Sequence, residues 1–293
     1  MKKLYLLSHQ NGYRAFEDYY LSLRQVIHYW FDVQIIIYSN QLEIPAPVTG
    51  HEIYCFVNSI TPKFLQLYSS GQQLSIYIIN TEQITRPIWA MLLQKYIRLG
   101  LNLCDYDLYQ RQLTQQLMPQ KNVHYLPYQI TKQENQRLTT LVEQTPKRYQ
   151  VCFCSTNKSK KRLTLYSQLE QRGLRVVDVS GWKEDRDCQI AEAQVLVNVH
   201  FDHDYQIFEH MRCDRWILAG LLVISETSLS DSLLDCRDLL ITDTYDHLAD
   251  TIVQVVANYD VYYAQYLERL NLHKAEIMET RLRACQQFFD KIK

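Results

Sequence analysis

Residues 195–226 read VLVNVHFDHDYQIFEHMRCDRWILAGLLVISE, and this stretch decides how the rest of the chain is interpreted. The apolar run Val195–Val199 predicts a buried strand, and Leu221–Ser225 predicts a second one. Between them a helix is expected from near Ile207 to Gly220, after a polar segment that reads FDHD. Because a strand, a polar loop and a helix in this order form the ligand sites of open α/β sheets, the stretch predicts a binding site.

The remainder of the chain repeats the alternation of strands and helices, which predicts an α/β fold with two Rossmann-like, doubly wound parallel sheets. Further strands are expected at Lys3–Ser8, Val33–Tyr38, Ile53–Val57, Ser75–Ile79, Val123–Leu126, Gln150–Cys154, Leu174–Val179 and Leu239–Ile241. Helices are expected at Tyr13–Trp30, from near Pro62, at Pro87–Leu99, Lys160–Arg172, Glu184–Ala193, Ser228–Leu234 and Tyr245–Ala257.

The domain boundaries follow from composition. The segment 131–149 is polar and contains Pro146, so it is interpreted as a linker. We therefore predict an N-terminal Rossmann-like domain over residues 1–140 and a C-terminal one over 150–258. Residues 259–293 contain neither Gly nor Pro and predict a long helix that packs back on the first domain.

Bulk composition excludes several classes of protein. The 293 residues are 47% apolar with a net charge of −1, which gives no general attraction to nucleic acid or to an anionic membrane. The eight cysteines form no CxxC pair, which is typical of a reducing compartment. No apolar run approaches the roughly 18 residues of a membrane span, and the start of the chain lacks a signal-peptide core. We predict a cytoplasmic protein with at most peripheral membrane contact.

One spaced pattern within residues 195–226 carries a family resemblance. It reads N-x-H-x(8)-E-x(2)-R-x(7)-G-x(4)-S-E, and its members are Asn198, His200, Glu209, Arg212, Gly220, Ser225 and Glu226. The pattern resembles the donor-site region of GT-B fold glycosyltransferases, in particular bacterial and viral enzymes of the family 1 and family 4 type. The resemblance implies a nucleotide-sugar site in the second domain, with Asn198, Ser225 and Glu226 among its donor-binding residues.

The chemistry of this region agrees with that implication. When a sugar leaves a nucleoside diphosphate, negative charge grows on the diphosphate, and a helix N-terminus beside an arginine stabilises it. Glu209 and Arg212 are three residues apart, share a helix face and are candidate catalytic residues. Arg215 continues this stripe as a donor-binding candidate, at the position where retaining families carry a second glutamate. The alternative for Glu209 and Arg212 is a surface ion pair of about 0.3 kcal/mol.

A second candidate is the loop before the first helix of the second domain, which reads STNKSKKR over residues 155–162. Small hydrogen-bonding residues followed by cations suit a phosphate group. We predict that Ser155, Lys161 and Arg162 bind the donor diphosphate. The alternative is a solvated, lysine-rich loop.

A metal site is the third candidate. Asp202-His203-Asp204 has the DxD spacing that holds a divalent cation in some glycosyltransferases, but Asp105-Tyr106-Asp107 and Asp185-Arg186-Asp187 have it too. No downstream Cys/His pair completes a ligand set. We therefore expect no metal, and we expect the catalytic candidate His200 and the donor-binding candidate Asp202 to line the sugar pocket.

The acceptor side is assigned to the first domain. His9, Asn11 and Gly12 form a predicted loop after the first strand, and Glu82 follows a later strand. A carboxylate or imidazole at this edge is suited to act as a general base, with Glu82 the candidate. The alternative is that these side chains only hydrogen-bond within their loops.

These patterns predict a glycosyltransferase that moves a sugar from a nucleotide-diphosphate donor to a glycan or glycolipid, with no metal, no cofactor and no nucleic acid partner. Neither GxGxxG nor GxxxxGK[ST] occurs, so classical dinucleotide and P-loop sites are poorly supported. Two alternatives stay open at this point. One is a non-catalytic module of the same fold that binds a glycan or acts as a partner subunit. The other is a metal-dependent hydrolase that uses His200, Asp202, His203 and Asp204.

Overall fold

A computed structural model describes residues 1–48, 50–117, 119, 123–154, 158–181 and 183–293 of the protein. By its internal contacts the chain divides into two compact units. Unit 1 holds Met1–Gln129 and Glu279–Lys293, and unit 2 holds Ile130–Met278. The last helix therefore contributes its first part to unit 2 and its final turns to unit 1.

Unit 1 contains, within its described residues, a sheet of six parallel strands in the order β2-β1-β3-β4-β5-β6. Its strands are β1 Lys3–His9, β2 Asp32–Tyr38, β3 Ile53–Val57, β4 Ser75–Asn80, β5 Asn102–Asp105 and β6 Val123–Tyr125. Its helices are α1 Gln10–Ile27, α2 Pro62–Ser69, α3 Pro87–Arg98 and α4 Leu108–Leu117.

The core of unit 1 forms where helices cover the sheet. Tyr54 and Phe56 on β3 are fully buried, and both rings contact Phe64 of α2, with centroids 4.7 and 5.3 Å apart. The final turns of the last helix close the other side, where Phe289 meets Phe31 and Cys285 donates to the Pro127 carbonyl. Burial of such aromatic surface is the main stabilising contribution here.

Unit 2 contains, in its described part, a sheet of five parallel strands in the order β11-β10-β9-β7-β8. Its strands are β7 Tyr149–Cys154, β8 Val176–Val179, β9 Ala193–Asn198, β10 Leu222–Glu226 and β11 Leu240–Asp243. Its helices are α5 Lys132–Gln144, α6 Lys160–Gln171, α7 Lys183–Ala191, α8 His210–Ile217 and α9 Tyr245–Ala257, and α10 Tyr259–Ile292 begins here.

Helix α8 is the element that positions the candidate site. It begins after Glu209, whose carbonyl accepts hydrogen bonds from Arg212 N and Cys213 N. The helix ends at Ile217, and a turn follows in which Gly220 has a φ of 98° and Leu221 N donates to the carbonyl of Trp216. This αL termination favours glycine and turns the chain directly into β10.

The predicted fold class is confirmed, while several local predictions are wrong. Most of the segment 131–149 is not an irregular linker: Lys132–Gln144 form α5, which Thr131 caps through Glu134 N and which buries Leu138 and Val142. The expected helix at Ser228–Leu234 is only a 3-10 turn, Asp231–Leu233. Within the described residues, no helix combines the length and the apolar character that crossing a membrane requires.

Candidate functional site

The candidate site lies at the carboxyl ends of β9 and β10, which are neighbours in the sheet of unit 2. Asn198 ends β9 and pairs in register with Ser225 of β10, and both are fully buried. The Asn198 amide donates to Ser225 Oγ over 3.0 Å, while its Oδ1 accepts from Arg212 Nη1 over 3.1 Å. A fixed amide thus anchors the arginine at the edge where open α/β sheets bind ligands.

Arg212 and Glu209 stand at the start of α8. Glu209 occupies the N-cap position, yet its side chain makes no capping hydrogen bond, and its Oε2 lies 3.8 Å from Arg212 Nη2. The arginine side chain is 20% exposed. Burial is the largest single influence and lowers the pKa of Arg212, but Glu209, Cys213 and Cys154 together raise it, and the net shift is upward. The result is a permanent cation, held in place and still reachable from outside.

Glu226 is held from two sides at the end of β10. Its Oε1 accepts from Lys161 Nζ on α6, and its Oε2 accepts from the backbone N–H of His200 over 3.1 Å. The ammonium of Lys161 also lies 4.7 Å from the ring centroid of Tyr245. Both charged side chains are largely buried, with 17% of Lys161 and 10% of Glu226 exposed. They form a positioned ion pair that two different elements support.

His200 is 3% exposed, and burial lowers the pKa of its imidazole more than the charge of Glu226 raises it. Its Nε2 lies 3.1 Å from the Thr227 carbonyl, which requires the proton on Nε2. Nδ1 is then an acceptor, and it has no hydrogen-bond partner among the described residues. The neutral ring contributes an unused acceptor beside Glu226.

Lys161, His200 and Glu226 border a cavity of about 350 Å³ within unit 2, whereas Arg212 and Glu209 are not among its lining residues. Its walls come from α6 and from the chain that follows β9 and β10. They are Lys161, His200, Asp202, His203, Tyr205, Gln206, Glu226, Thr227, Ser228 and Leu229. A cavity of this size holds part of a ligand with the volume of a nucleotide sugar.

Lys161 and Arg162, which were predicted to bind the donor diphosphate, both contact protein groups: Lys161 pairs with Glu226 as described above. Arg162 is buried, donates from Nε to the Val199 carbonyl over 3.0 Å and lies 5.7 Å from the Phe201 ring. Burial, with the nearby charge of Arg212, lowers the pKa of Arg162 to about 10. Ser155, the third predicted member of this loop, lies outside the described residues.

The segment around Asp202 is a tight turn, in which Asp202 Oδ1 accepts from Asp204 N over 2.9 Å. Asp202 and His203 both line the cavity. Among the residues that the structure describes, no three His, Cys, Asp or Glu side chains group as metal ligands.

Arg215 occupies a setting that differs from the predicted one. Its side chain is only 3% exposed, and its Nη2 reaches Glu134 of α5 and, over 2.9 Å, Asp187 of α7. Arg137 pairs with the same two carboxylates, and Arg186 also pairs with Asp187. Through Nη2, Arg215 thus joins an internal ion-pair network of α5, α7 and α8, and its predicted contact with the donor stays a prediction.

In unit 1, the predicted loop of acceptor residues is instead the start of α1. His9 is the N-cap, and its Nδ1 accepts from Asn11 N over 3.2 Å, so the helix begins at Gln10 and includes Gly12. Glu82 forms a 2.6 Å ion pair with Arg86. The predicted loop over residues 9–12 is wrong because a histidine ring supplies the cap that a turn residue normally provides.

Sequence reasoning missed a buried polar cluster at the carboxyl ends of β3, β4 and β5. Asn80 donates to Asp105 over 2.7 Å, and Asp105 accepts from Asp107 N over 3.0 Å. Asn58, in the left-handed conformation with a φ of 62°, accepts from the backbone N and the hydroxyl of Thr81. The available signal was that Asn58 and Asn80 follow two successive predicted strands and that Asp105 and Asp107 form a DxD match, but β5 itself was not predicted.

Sequence comparison links the chain to viral proteins. No family model matches it. An uncharacterized protein of Acanthamoeba polyphaga mimivirus is 27% identical over 98% of this chain and 90% of its own length. Two further uncharacterized proteins of the same virus are 32% and 36% identical over 75% and 62% of this chain. The chain spans only about a quarter of the length of those two, 24% and 25%.

Structural comparison identifies the architecture. A glycosyltransferase from Rickettsia africae superimposes with a TM-score of 0.62 at 7% identity, over 99% of this chain and 98% of its own. Phage T4 BGT, solved with its UDP-glucose substrate, gives 0.61 at 14% identity over the whole of both chains. A UDP-forming trehalose-phosphate synthase from Burkholderia xenovorans gives 0.59 at 10% identity, over 100% and 98%. The two parallel sheets and these neighbours show that the chain has the GT-B glycosyltransferase fold.

Proposed function

We propose that the chain is a glycosyltransferase that moves a sugar from a nucleoside-diphosphate donor to a glycan or glycolipid, without a metal ion. The observation that carries the proposal is the setting of Arg212. A permanent guanidinium, anchored on Asn198 and partly exposed, stands at the first turn of α8 and at the carboxyl end of β9. A cation fixed before the reaction needs no reorganisation when negative charge develops nearby.

The diphosphate of the donor is the group that Arg212 would contact. Breakage of the glycosidic bond leaves additional charge on the phosphate oxygens, and the guanidinium pairs with them through two parallel N–H groups. The N-terminus of α8 adds a favourable dipole at the same place. Lys161, which lines the cavity, supplies a second cation, so two side chains take the role that a divalent ion has in metal-dependent transferases.

Glu226 and His200 are assigned to the hydroxyl groups of the donor. A carboxylate accepts hydrogen bonds from adjacent hydroxyls, and the Lys161 and His200 contacts hold Glu226 in a single orientation. The imidazole of His200 also lines this cavity, and its buried Nδ1 is an acceptor with no hydrogen-bond partner among the described residues. An ion pair and a neutral imidazole suit a ligand that carries both phosphates and hydroxyls.

Uridine is the first nucleotide to test. Phage T4 BGT is described with a UDP-glucose substrate, and the Burkholderia xenovorans enzyme is described as UDP-forming. The acceptor is less constrained. A further structural neighbour is described as a DNA modifying enzyme, so duplex DNA belongs in the acceptor panel beside glycans and glycolipids.

Calorimetry with UDP-, GDP- and CMP-sugars, followed by assays of nucleotide release in EDTA, tests the proposal. Arg212→Met should weaken donor binding at least about tenfold and slow release by about 10²–10³-fold, because one preorganised cation is lost. Arg172→Met is the matched control, since this arginine pairs with Asp250 at the surface of unit 2. Wild-type binding and turnover in Arg212→Met would refute the site.

Two other results would redirect the assignment. Tight donor binding without nucleotide release in the presence of every acceptor would favour a non-catalytic binding module. Release that stops in EDTA and returns with a divalent cation would contradict the metal-independent reaction.

A further inference from the structure

A second cavity, of about 330 Å³, lies at the open edge of the unit 1 sheet. We call it the edge pocket. It is bordered by α4, by the edge strand β6 and by the last turns of α10. The side chains that matter for its chemistry are Arg111, Gln115, His124, Gln287, Phe288 and Lys291. All belong to unit 1, whereas the donor cavity belongs to unit 2.

Two cations in this pocket have no carboxylate partner in the part of the chain that the structure describes. Arg111 donates from Nε to the Val123 carbonyl over 2.9 Å, which fixes the plane of its guanidinium against the strand. Neither Arg111 nor Lys291 forms an ion pair with any residue that the structure describes. Positive charges gathered around a cavity without counter-charges repel each other, and a bound anion would relieve that repulsion.

The charges of Arg111 and Lys291 both act on the imidazole of His124. Its ring packs 5.1 Å from Phe288 and 6.1 Å from Tyr77, measured between centroids. Burial lowers the pKa of this imidazole, and the charges of Lys291 and Arg111 lower it further. The pocket therefore combines a positive potential with an aromatic wall.

We propose that the edge pocket binds a small organic phosphate, with the phosphate group between Arg111 and Lys291. A phosphate monoester carries close to two negative charges at neutral pH, so it matches two cations, whereas a carboxylate matches one. The fixed arginine offers the paired N–H donors that bind such a group. The cavity exceeds the volume of a phosphate alone, and Phe288 and the amide of Gln287 are placed to contact the organic part.

The test uses the full chain, inorganic phosphate and phenyl phosphate, with chloride matched for ionic strength. Binding is followed by NMR of the His124 imidazole, which His124→Gln identifies by removing its resonances. The Arg212→Met background suppresses phosphate binding at the donor site of unit 2. Both probes should raise the pKa of His124, because an anion stabilises the imidazolium, and phenyl phosphate should bind more tightly through Phe288.

Lys291→Gln should weaken binding at least about tenfold, since one of two charge-assisted contacts is lost. Lys63→Gln is the matched control, a partly exposed lysine on α2 of the same unit. Arg111→Lys keeps the positive charge but loses the paired N–H donors of the guanidinium, so it should also weaken binding. Unchanged His124 resonances at saturating phosphate, or equal affinity in Lys291→Gln and Lys63→Gln, would overturn the proposal.

Discussion

Replacing Arg215 with methionine should destabilise unit 2 much more than the same replacement at Arg212, three residues away on the same helix. Methionine keeps most of the aliphatic volume of arginine and removes the charge. The comparison therefore isolates what each guanidinium contacts. Arg215 reaches Glu134 and the fully buried Asp187, while Arg212 reaches Asn198 and more distantly Glu209.

The expected magnitude follows from the contacts that remain. Removing one partner of a buried ion pair typically costs about 3–5 kcal/mol. Here Asp187 retains Arg137 at 2.6 Å and Arg186 at 3.2 Å, and Glu134 is 26% exposed and retains Arg137. The loss for Arg215→Met is therefore about 2–3 kcal/mol, below that range. Arg212→Met removes one 3.1 Å hydrogen bond from a partly exposed side chain and should cost about 1 kcal/mol.

Urea denaturation followed by circular dichroism measures both free energies of unfolding, and calorimetry measures the melting temperatures. For a unit that spans Ile130–Met278, the Arg215→Met loss corresponds to a lowering of the melting temperature by roughly 5–10 °C. For donor binding the order of the two variants should be reversed. The folded Arg215→Met protein should still bind the nucleotide sugar, whereas Arg212→Met should bind it more weakly. Equal destabilisation by the two changes, or the loss of donor binding in Arg215→Met alone, would refute this division of roles.

Three further predictions concern stability. Asn58→Gly loses the two hydrogen bonds from Thr81 and should cost about 1–2 kcal/mol, and Asn58→Ala should cost about 1 kcal/mol more because its φ is 62°; an alanine variant as stable as the glycine variant in thermal denaturation would contradict this. Tyr266→Phe removes a fully buried hydroxyl that donates to the Ile217 carbonyl, so its urea midpoint should fall with a loss of about 1–2 kcal/mol, and an unchanged midpoint would argue against that bond. Burial would raise the pKa of Glu134, but arginine hydrogen bonds and charges outweigh it and lower the pKa, so its stabilisation is present above the unfolded pKa and is lost as pH falls through the folded pKa. Unfolding free energies measured from about pH 6 to about pH 3 should decline less steeply in the Arg215→Met variant, whereas parallel curves would exclude this carboxylate.

The local patterns of the sequence determined the fold class. Apolar runs of strand length alternate with segments of helical period, and each signal depends only on neighbours along the chain. The same locality explains the placement of Asn198, Glu209, Arg212 and Glu226, since the carboxyl ends of parallel strands meet at one edge of the sheet. Their spacing in the chain was sufficient to bring them to a common region.

Tertiary contacts decided what local patterns could not. Arg212 and Arg215 look alike in sequence, and only the positions of α5 and α7 give one an internal network and leave the other open. Residues 131–149 are polar enough to resemble a linker, yet Leu138 and Val142 are buried by packing and α5 forms. The edge pocket joins Arg111 to Lys291, two residues far apart in the chain. Burial and long-range charge pairing depend on which elements become neighbours in space. The spacing of residues along the chain does not determine which distant elements pack together.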